Sequence, residues 1–254
     1  MRKSKLFQFF YILTLAVFIA FGTALAIRLA ELHDGGRFYE QIEETEAPPD
    51  VPPILPNDPG GESASAEIHE LSLRFSQFAG EYPDAVFWLQ LADTELDYPV
   101  MLGTDNEFYL NRLPDKRKNA LGSLFLDCRT REDSVHLIVY GHNGSGGKMF
   151  GLLKKYELQE FYLKHKTLTV ATSDCVYECP IFSVRRVEAD SSAYRLEFKD
   201  RNSLIKYMNQ AAAESIYPIE ADAEAAARIL TLSTCTGWRH SQRFIVQAQM
   251  VLVQ

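Results

Sequence analysis

The chain has 254 residues, of which 46% are hydrophobic and 12% aromatic, enough for a packed core and too many for a disordered chain. Its formal net charge of -8 at pH 7 excludes the basic face that nucleic-acid binding requires. The sequence shows no glycine-rich phosphate loop, no internal repeat and no zinc-like arrangement of Cys and His. We therefore expect no nucleic-acid partner and no metal site.

The first predicted element is a single membrane anchor behind the basic start MRKSK. An uncharged run closed by Arg28 makes up residues 6–28, and about 20 apolar residues span the hydrocarbon core of a bilayer. Under the positive-inside rule, residues 1–5 stay in the cytoplasm and the rest of the chain lies outside the cell. The alternative is a cleaved signal peptide, because residues 24–26 read A-L-A, although the run is longer than a usual signal-peptide core.

Residues 29–65 are predicted to form an extracellular spacer, whose first part can continue as a short helix. Six of the chain's 11 prolines fall between residues 48 and 59, a composition typical of extended linkers. The folded domain is expected over residues 66–254. It begins with a helix, because apolar side chains recur at helical spacing between residues 68 and 78.

Eight short apolar segments, separated by turns rich in Asp, Gly, Asn and Pro, are predicted to be β-strands. They are AVFWLQL, YPVML, GSLFLD, VHLIVYG, TLTVAT, CVYECPIFSVRRV, ARILTLST and RFIVQAQMVLV. Helices are predicted between them at DNEFYLNRL, MFGLLKKYELQEFYLKH and DRNSLIKYMNQAAAES. Eight short strands in a chain of this size indicate a closed barrel or a sandwich. We predict a mostly β, eight-stranded barrel with an N-terminal helix and inserted helices, preceded by one transmembrane helix.

The four cysteines do not suggest a disulfide framework, even in an exported chain. Cys175 and Cys179 lie four residues apart in a strand-like segment, which places both on one face but too far apart for an easy bridge. We interpret both as ordinary small apolar residues.

The last two predicted strands bring a cysteine and an arginine together. Alternation along ILTLSTC places Ser233 and Cys235 on one face, and Arg243 opens the final strand after a seven-residue loop. If the strands pair antiparallel, Cys235 and Arg243 lie opposite each other at the mouth of that loop. A cation beside the sulfur favours the thiolate and can hold an oxyanion, so the pair predicts a nucleophile. A buried structural cysteine beside a surface arginine is the alternative.

His142 follows an apolar strand in VYGHNGSGGKMFG and enters a glycine-rich loop. A histidine at a strand end is a candidate acid/base group near neutral pH, although a turn histidine can simply hydrogen-bond the backbone. Combined with Cys235 and Arg243 it makes a workable set. The thiol and the imidazole exchange a proton, and the guanidinium holds the oxyanion of a tetrahedral intermediate.

TLSTC with a downstream arginine, YGHN, a single N-terminal anchor and a barrel-like series of strands together resemble the sortases. These are cysteine transpeptidases that fasten proteins to the Gram-positive cell wall. The resemblance covers residues 66–254, which would be the catalytic domain, and extends to DYPVM, DNEFYLN, GSLFLD and MFGLLKKY. The helix before the barrel and the inserted helix at residues 200–214 make the chain most similar to class B sortases.

The resemblance implies that Cys235 is the nucleophile and that His142 and Arg243 complete the catalytic set. It also implies that Ser233 lines the substrate groove together with Tyr194, and Thr234 beside them is a further substrate-binding candidate. Two departures from the family pattern stand out. An aromatic residue is more usual at the position after GSLFLD, where this chain has a cysteine, and no carboxylate closely follows TLSTC.

The function implied is cleavage of an NPxTx- or PxTG-like sorting signal after its threonine, through a thioester, with transfer of the acyl group to a peptidoglycan amine. The expected partners are sorting-signal-bearing secreted proteins, a peptidoglycan precursor or crossbridge, and the membrane; no metal or organic cofactor is needed. A hydrolytic cysteine peptidase with the same three residues is one alternative, and a non-catalytic, membrane-tethered binding module is the other. Capture of the acyl group by an added amine distinguishes the transpeptidase from the hydrolytic peptidase. Function that survives cysteine alkylation would favour the binding module.

Overall fold

The computed structural model describes four stretches of the chain, residues 2–45, 62–131, 133–235 and 242–253. The first stretch is one helix, α1, spanning Arg2–Thr45. It is long and apolar enough over Phe7–Ile42 to cross a membrane, and its apolar side chains before residue 30 are exposed. The helix thus includes the predicted anchor and continues into the predicted spacer, whose proline-rich part lies outside the described residues.

The second half of α1 packs against the side of the barrel. The Tyr39 hydroxyl donates to the carbonyl of Gly122 at 3.1 Å, and the side-chain amide of Asn119 donates to the carbonyl of Glu31 at 2.7 Å. Gly35 lies so close to Asn119 that an added Cβ would be 2.6 Å from the amide oxygen. The beginning of the predicted spacer is therefore helical and held to the folded domain, and the exact boundaries of anchor, spacer and domain stay a prediction.

Helix α2 spans Glu62–Glu81 and packs on the barrel through the apolar positions predicted from helical spacing. Leu71, Phe75 and Phe78 are buried in one cluster with Trp88 of the first strand. Because these residues recur every three or four positions, they share one face of the helix, and the prediction of an amphipathic helix before the barrel is confirmed.

All eight predicted strands are present in the structure. Their bounds are β1 Ala85–Gln90, β2 Asp97–Met101, β3 Leu124–Leu126, β4 His136–Tyr140, β5 Thr167–Ala171, β6 Val176–Glu188, β7 Arg228–Cys235 and β8 Gln242–Leu252. They close into a barrel in the order β1-β2-β3-β4-β7-β8-β6-β5, which confirms the predicted fold class.

Two strand pairs of the barrel are parallel, β2 with β3 and β4 with β7, and the other neighbours are antiparallel. Parallel neighbours end at the same edge of a sheet. The C-terminal ends of β4 and β7 therefore meet at one end of the barrel. Strand β8 begins at that end, because it runs back antiparallel to β7.

Strand β7 separates two buried layers. Leu230 and Leu232 belong to the main hydrophobic core, whereas Ile229 belongs to a smaller cluster under the next helix. This helix, α4, spans Arg201–Ala213, at the position predicted from the sequence. Its N-terminus is closed by a capping box, in which the Asp200 carboxylate accepts a hydrogen bond from the backbone amide of Ser203 at 2.8 Å.

The prediction of a helix at DNEFYLNRL is wrong, because only one 3₁₀ turn, Tyr109–Asn111, forms there. The Asp105 carboxylate accepts hydrogen bonds from the backbone amides of Glu107 and Phe108, both at 2.8 Å. These bonds cap a first turn, but the backbone becomes extended at Arg112, with φ −142° and ψ 146°, so the turn does not continue into a regular helix.

The helix predicted at MFGLLKKYELQEFYLKH is broken into two pieces. A 3₁₀ helix covers Phe150–Glu157, and a short α-helix, α3, covers Gln159–Lys164. Leu158 between them has extended backbone, with φ −98° and ψ 117°, so the helical hydrogen bonds cannot run through it. Buried Phe150, Leu153 and Tyr156 recur every three positions in the first piece, which is the period of a 3₁₀ helix.

Candidate active site

Three neighbouring strands bring the backbones of the predicted catalytic residues to one end of the barrel. Tyr140 of β4 pairs with Ser233 of β7, and His142 and Cys235 each lie two residues beyond this pair. Cys235 ends β7 and pairs with Arg243 of β8, which confirms the predicted antiparallel pairing. The side chain of Cys235 and the loop that follows it lie outside the described residues.

His142 leaves the sheet at the end of β4 and is half-buried. The backbone amide of Phe150 donates to its carbonyl oxygen at 2.9 Å. Burial lowers the pKa of the imidazole; a hydrogen bond with the backbone of Leu110 opposes this effect, and the positive charge of Arg28 adds to it. Its Nε2 atom is buried and has no hydrogen-bond partner within the described stretches. Nε2 is therefore the ring nitrogen left for a further partner.

The close approach of the chain at Gly141, just before this histidine, requires glycine. An added Cβ would lie 2.4 Å from Leu124 Cδ2 and 2.8 Å from Phe150 Cδ2. A larger residue would push the chain away from the barrel end and displace His142 with it.

A cavity of about 210 Å³ opens at this end of the barrel. Arg243 lines it and is partly exposed, and its Nη1 atom donates to the carbonyl of Gln242 at 3.3 Å. Two predicted substrate-binding residues, Ser233 and Thr234, line the same cavity. Sequence reasoning missed its other lining residues, which are Asn106, Leu110, Phe125, Tyr140 and Gly141.

The predicted groove residues Ser233 and Tyr194 are in direct contact. The Tyr194 hydroxyl lies 2.8 Å from Ser233 Oγ, and Ser233 is almost completely buried. The Tyr194 ring stacks on that of Tyr140, with ring centroids 6.2 Å apart and planes 24° apart. The fold thus brings together two tyrosines and a serine beside the cavity, although Tyr194 and Ser233 are 39 residues apart in the chain.

Tyr140 is held by a buried carboxylate that sequence reasoning missed. Its hydroxyl donates to Asp127 Oδ2 at 3.0 Å, and Arg129 binds both carboxylate oxygens, through Nε at 2.8 Å and Nη2 at 2.7 Å. Burial raises the pKa of the Asp127 carboxyl, but the hydrogen bonds from Arg129 outweigh it and the pKa is lowered. Burial, with the neighbouring carboxylate, raises the pKa of Tyr140, so its phenol stays a neutral donor. In the sequence, this ion pair is indicated only by an aspartate and an arginine two residues apart, directly after β3.

Thr234 is buried, and its Oγ1 atom has no hydrogen-bond partner among the residues that the structure describes. A polar atom at a cavity wall in this state is placed to bind a ligand group.

Cys128, Cys175 and Cys179 carry free thiols. Within the described stretches, no group of three or more His, Cys, Asp and Glu side chains is arranged to hold a metal ion.

Comparisons with known proteins agree on one family. The family model described as Sortase domain matches residues 89–251. Sortase B of Listeria monocytogenes is 28% identical over 253 residues, covering 98% of each chain. The structure of Clostridium perfringens sortase B is 28% identical with a TM-score of 0.64, and covers 69% of this chain and 98% of its own. A Staphylococcus aureus sortase B–substrate complex is 25% identical with a TM-score of 0.63, and covers 76% of this chain and 98% of its own.

Proposed function

The chain belongs to the sortase family, in its class B, and we propose that Cys235, His142 and Arg243 carry out its cysteine transpeptidase reaction. The observation that carries the proposal is the register of three neighbouring strands. His142 follows β4, Cys235 ends β7 and Arg243 opens β8, all at the end where the cavity lies. This placement supports a common site for a nucleophile, a proton carrier and a cation.

In the first half of the reaction, the thiol of Cys235 passes its proton to His142, and the thiolate attacks the threonine carbonyl carbon of a sorting signal. The guanidinium of Arg243 donates hydrogen bonds to the resulting oxyanion. The carbon–nitrogen bond then breaks, and the imidazolium gives its proton to the leaving amine. A thioester remains on Cys235, and the C-terminal part of the substrate is released.

In the second half, an acceptor amine attacks the thioester carbonyl. Its proton passes to His142, the carbon–sulfur bond breaks, and the thiolate of Cys235 leaves as a new amide forms. The acceptor is an amine of a peptidoglycan precursor or crossbridge. The imidazolium of His142 then returns its proton to the thiolate of Cys235, which restores the starting state and balances the reaction.

The substrate is a secreted protein with an NPxTx- or PxTG-like sorting signal, cleaved after the threonine. Ser233, Thr234 and Tyr194 form the wall that receives it, since two of them line the cavity and the third contacts Ser233. A similar Staphylococcus aureus protein has been solved as a sortase B–substrate complex, which supports the binding of a substrate by this chain.

Helix α1 anchors the enzyme, with its basic N-terminus in the cytoplasm and the barrel outside. The exposed apolar residues of its first half support the anchor. Because the second half of the same helix packs on the barrel, the active site stays close to the membrane surface. Secreted substrates and wall precursors are confined to the same zone, which raises their effective concentration.

The experiment uses the full chain in detergent micelles, a sorting-signal peptide and a panel of glycine and diamino-acid amines. We expect a ligated peptide, identified by mass spectrometry, with hydrolysis as the slower default when the amine is omitted. The matched control is Cys235→Ala, which removes the nucleophile and should leave neither product.

The outcomes separate the alternatives. If only hydrolysed peptide forms with every amine, the enzyme is a cysteine peptidase. If the peptide is bound but neither cleaved nor ligated, and alkylation of Cys235 leaves the binding unchanged, the chain is a binding module, and the proposal is overturned.

A further inference from the structure

Four polar side chains are fully or almost fully buried beneath helix α4, away from the cavity. His136 lies on β4, Thr231 on β7, Gln247 on β8 and Tyr207 on α4 itself. None takes part in the transpeptidase chemistry. Buried polar groups are costly unless they are hydrogen-bonded, so the bonds that they form are informative.

The tautomer of His136 follows from its two contacts. Its Nδ1 atom lies 2.6 Å from the carbonyl oxygen of Arg195, which can only accept, so Nδ1 carries the proton. Burial lowers the pKa of the ring to about 4, so the imidazole is neutral near pH 7 and Nε2 is an acceptor. The hydroxyl of Thr231, 2.7 Å away, donates to it.

Gln247 connects two branches of this network. Its amide nitrogen donates to Thr231 Oγ1 at 2.9 Å and to the Tyr207 hydroxyl at 2.7 Å. Its amide oxygen accepts from Nη2 of Arg185 at 3.0 Å. The Tyr207 hydroxyl in turn donates to the carbonyl of Ala193 at 3.0 Å. Each N–H or O–H group of the network has one acceptor, so the direction of every bond is determined.

Both branches end on the same short segment of chain. One ends on the carbonyl of Ala193 and the other on the carbonyl of Arg195, the two residues that flank Tyr194. The hydroxyl of Tyr194 lies 2.8 Å from Ser233 Oγ, and its ring stacks on Tyr140. The network therefore holds the backbone on either side of Tyr194, the residue of this segment that contacts Ser233 of β7.

Local structure alone gives this segment little rigidity. Its only regular element is a single 3₁₀ turn, Ser192–Tyr194, with 3.2 Å bonds from the amides of Tyr194 and Arg195 and a 3.1 Å bond from the Ala193 amide to the hydroxyl of the preceding N-cap serine. Such a short turn is marginal without tertiary contacts. The position of the tyrosine must come from elsewhere in the fold.

We propose that His136 and Tyr207 are positioning residues for substrate binding, which act by holding the segment that carries Tyr194 against Ser233. The inference rests on the proposed function for one point, that Tyr194 lines the substrate groove. The mechanical part does not depend on it.

The mechanical part is tested by amide hydrogen exchange on the full chain in detergent micelles. Tyr207→Phe removes one hydroxyl and keeps the ring, and His136→Phe removes both nitrogens. We expect exchange over residues 190–199 to become about tenfold faster in either variant, while α4 stays protected. Ser183→Ala is the matched control, because the buried Ser183 hydroxyl donates to the carbonyl of Ala211 in α4 at 2.7 Å and does not touch the segment.

The functional part is tested by peptide kinetics on the same variants. We expect KM to rise about tenfold and kcat to change by less than about threefold, since the catalytic residues are untouched. His136→Asn should restore part of the loss, because its amide can still donate to the Arg195 carbonyl. In a Tyr194→Ala background, Tyr207→Phe should cause no further change in kcat/KM.

Unchanged exchange over residues 190–199 in Tyr207→Phe overturns the positioning inference, whatever the kinetics. So does a KM loss of equal size in the Tyr194→Ala background. Faster exchange confined to the segment, in a protein that turns over no sorting peptide, supports the positioning and counts against the proposed function instead. If His136→Phe exchanges rapidly throughout, Tyr207→Phe decides the question.

Discussion

Strand β4 carries one histidine at its beginning and is followed by another just beyond its end, and the two are in opposite states. His136 is fully buried, and both of its nitrogens are hydrogen-bonded. His142 is half-buried, and its Nε2 atom has no partner in the described part of the chain. Burial lowers the pKa of both rings. A depressed pKa therefore does not separate the buried, hydrogen-bonded histidine from the candidate proton carrier, whereas their hydrogen-bond partners differ.

The contrast arises from the two surroundings of one strand. His136 lies under α4, where Thr231 and the Arg195 carbonyl satisfy it. His142 lies at the open end of the barrel, next to a strand whose last residue is Cys235. Satisfied burial gives rigidity, and unsatisfied burial leaves a nitrogen for proton transfer.

The largest effect should come from His142→Gln, which removes the proton carrier. We expect kcat to fall on the order of 10²–10⁴-fold, the usual contribution of general acid–base catalysis, with the melting temperature nearly unchanged. The comparison variant His136→Phe should lower the melting temperature and keep most of kcat. Peptide-cleavage kinetics and thermal unfolding measure the two. Equal losses of kcat in both variants would contradict the distinction between the histidines.

Arg243→Lys should reduce kcat on the order of 10²–10³-fold although the charge is kept, because an ammonium cannot reproduce the paired, directed donors of a guanidinium. The matched control is Arg186→Lys on the neighbouring strand β6, where an exposed arginine pairs with Glu157. It should stay within about twofold of the unmodified enzyme, because exposed ion pairs contribute little. Near-normal turnover in Arg243→Lys would make that arginine structural.

The pH dependence of stability should report His136. Its pKa is lowered by burial from 6.5 to about 4, so the unfolded chain binds a proton that the folded chain does not. The stabilisation is complete above pH 6.5 and is lost progressively as the pH falls towards 4. At about 1.4 kcal/mol per pKa unit, the loss amounts to about 3 kcal/mol. Denaturant unfolding at a series of pH values measures it.

In His136→Phe, the decline in stability over that pH window should be smaller by the same amount. Other groups titrate there, so the difference between the two proteins is the quantity to compare. Parallel curves for the two proteins would show that His136 is already protonated in the folded chain and would remove the basis of its assigned tautomer.

The smallest effect should come from Tyr194→Phe, which keeps the ring stacked on Tyr140 and removes the hydrogen bond to Ser233. A single hydrogen bond contributes about 0.5–1.5 kcal/mol, so KM should rise by about threefold to tenfold with kcat maintained. Ser233→Ala should give a similar rise, and the double variant should be no worse than either single one. Additive effects would mean that the two hydroxyls act separately.

Much of the fold follows from local sequence patterns, because strands with alternating or continuous apolar residues between turn residues are specified by their own composition. The same reasoning was wrong at DNEFYLNRL, where a single 3₁₀ turn forms and ends at Arg112, whose backbone is extended. It also predicted one helix where Leu158 breaks the chain into two. Helical spacing records which residues are buried and does not by itself fix the backbone that buries them.

The candidate catalytic set divides in the same way. The pairing of Cys235 with Arg243 was predictable, since a short loop between two strands makes their antiparallel register a local property. The pairing of β4 with β7, which brings His142 beside Cys235, joins segments about ninety residues apart and could be inferred only through resemblance to a family. No local pattern specifies a parallel register at that separation.

By itself, the sequence determined an apolar N-terminal helix, eight strands, a nucleophile candidate at a strand end and an arginine facing it, because each depends on neighbours in the chain. Only the tertiary structure showed which groups satisfy the buried His136 and which residue Tyr194 contacts. These bonds join His136 to residues 59 and 95 positions away and Tyr194 to a residue 39 positions away. Such contacts depend on how the strands are ordered around the barrel, and a buried polar group takes its role from the partners that this order provides.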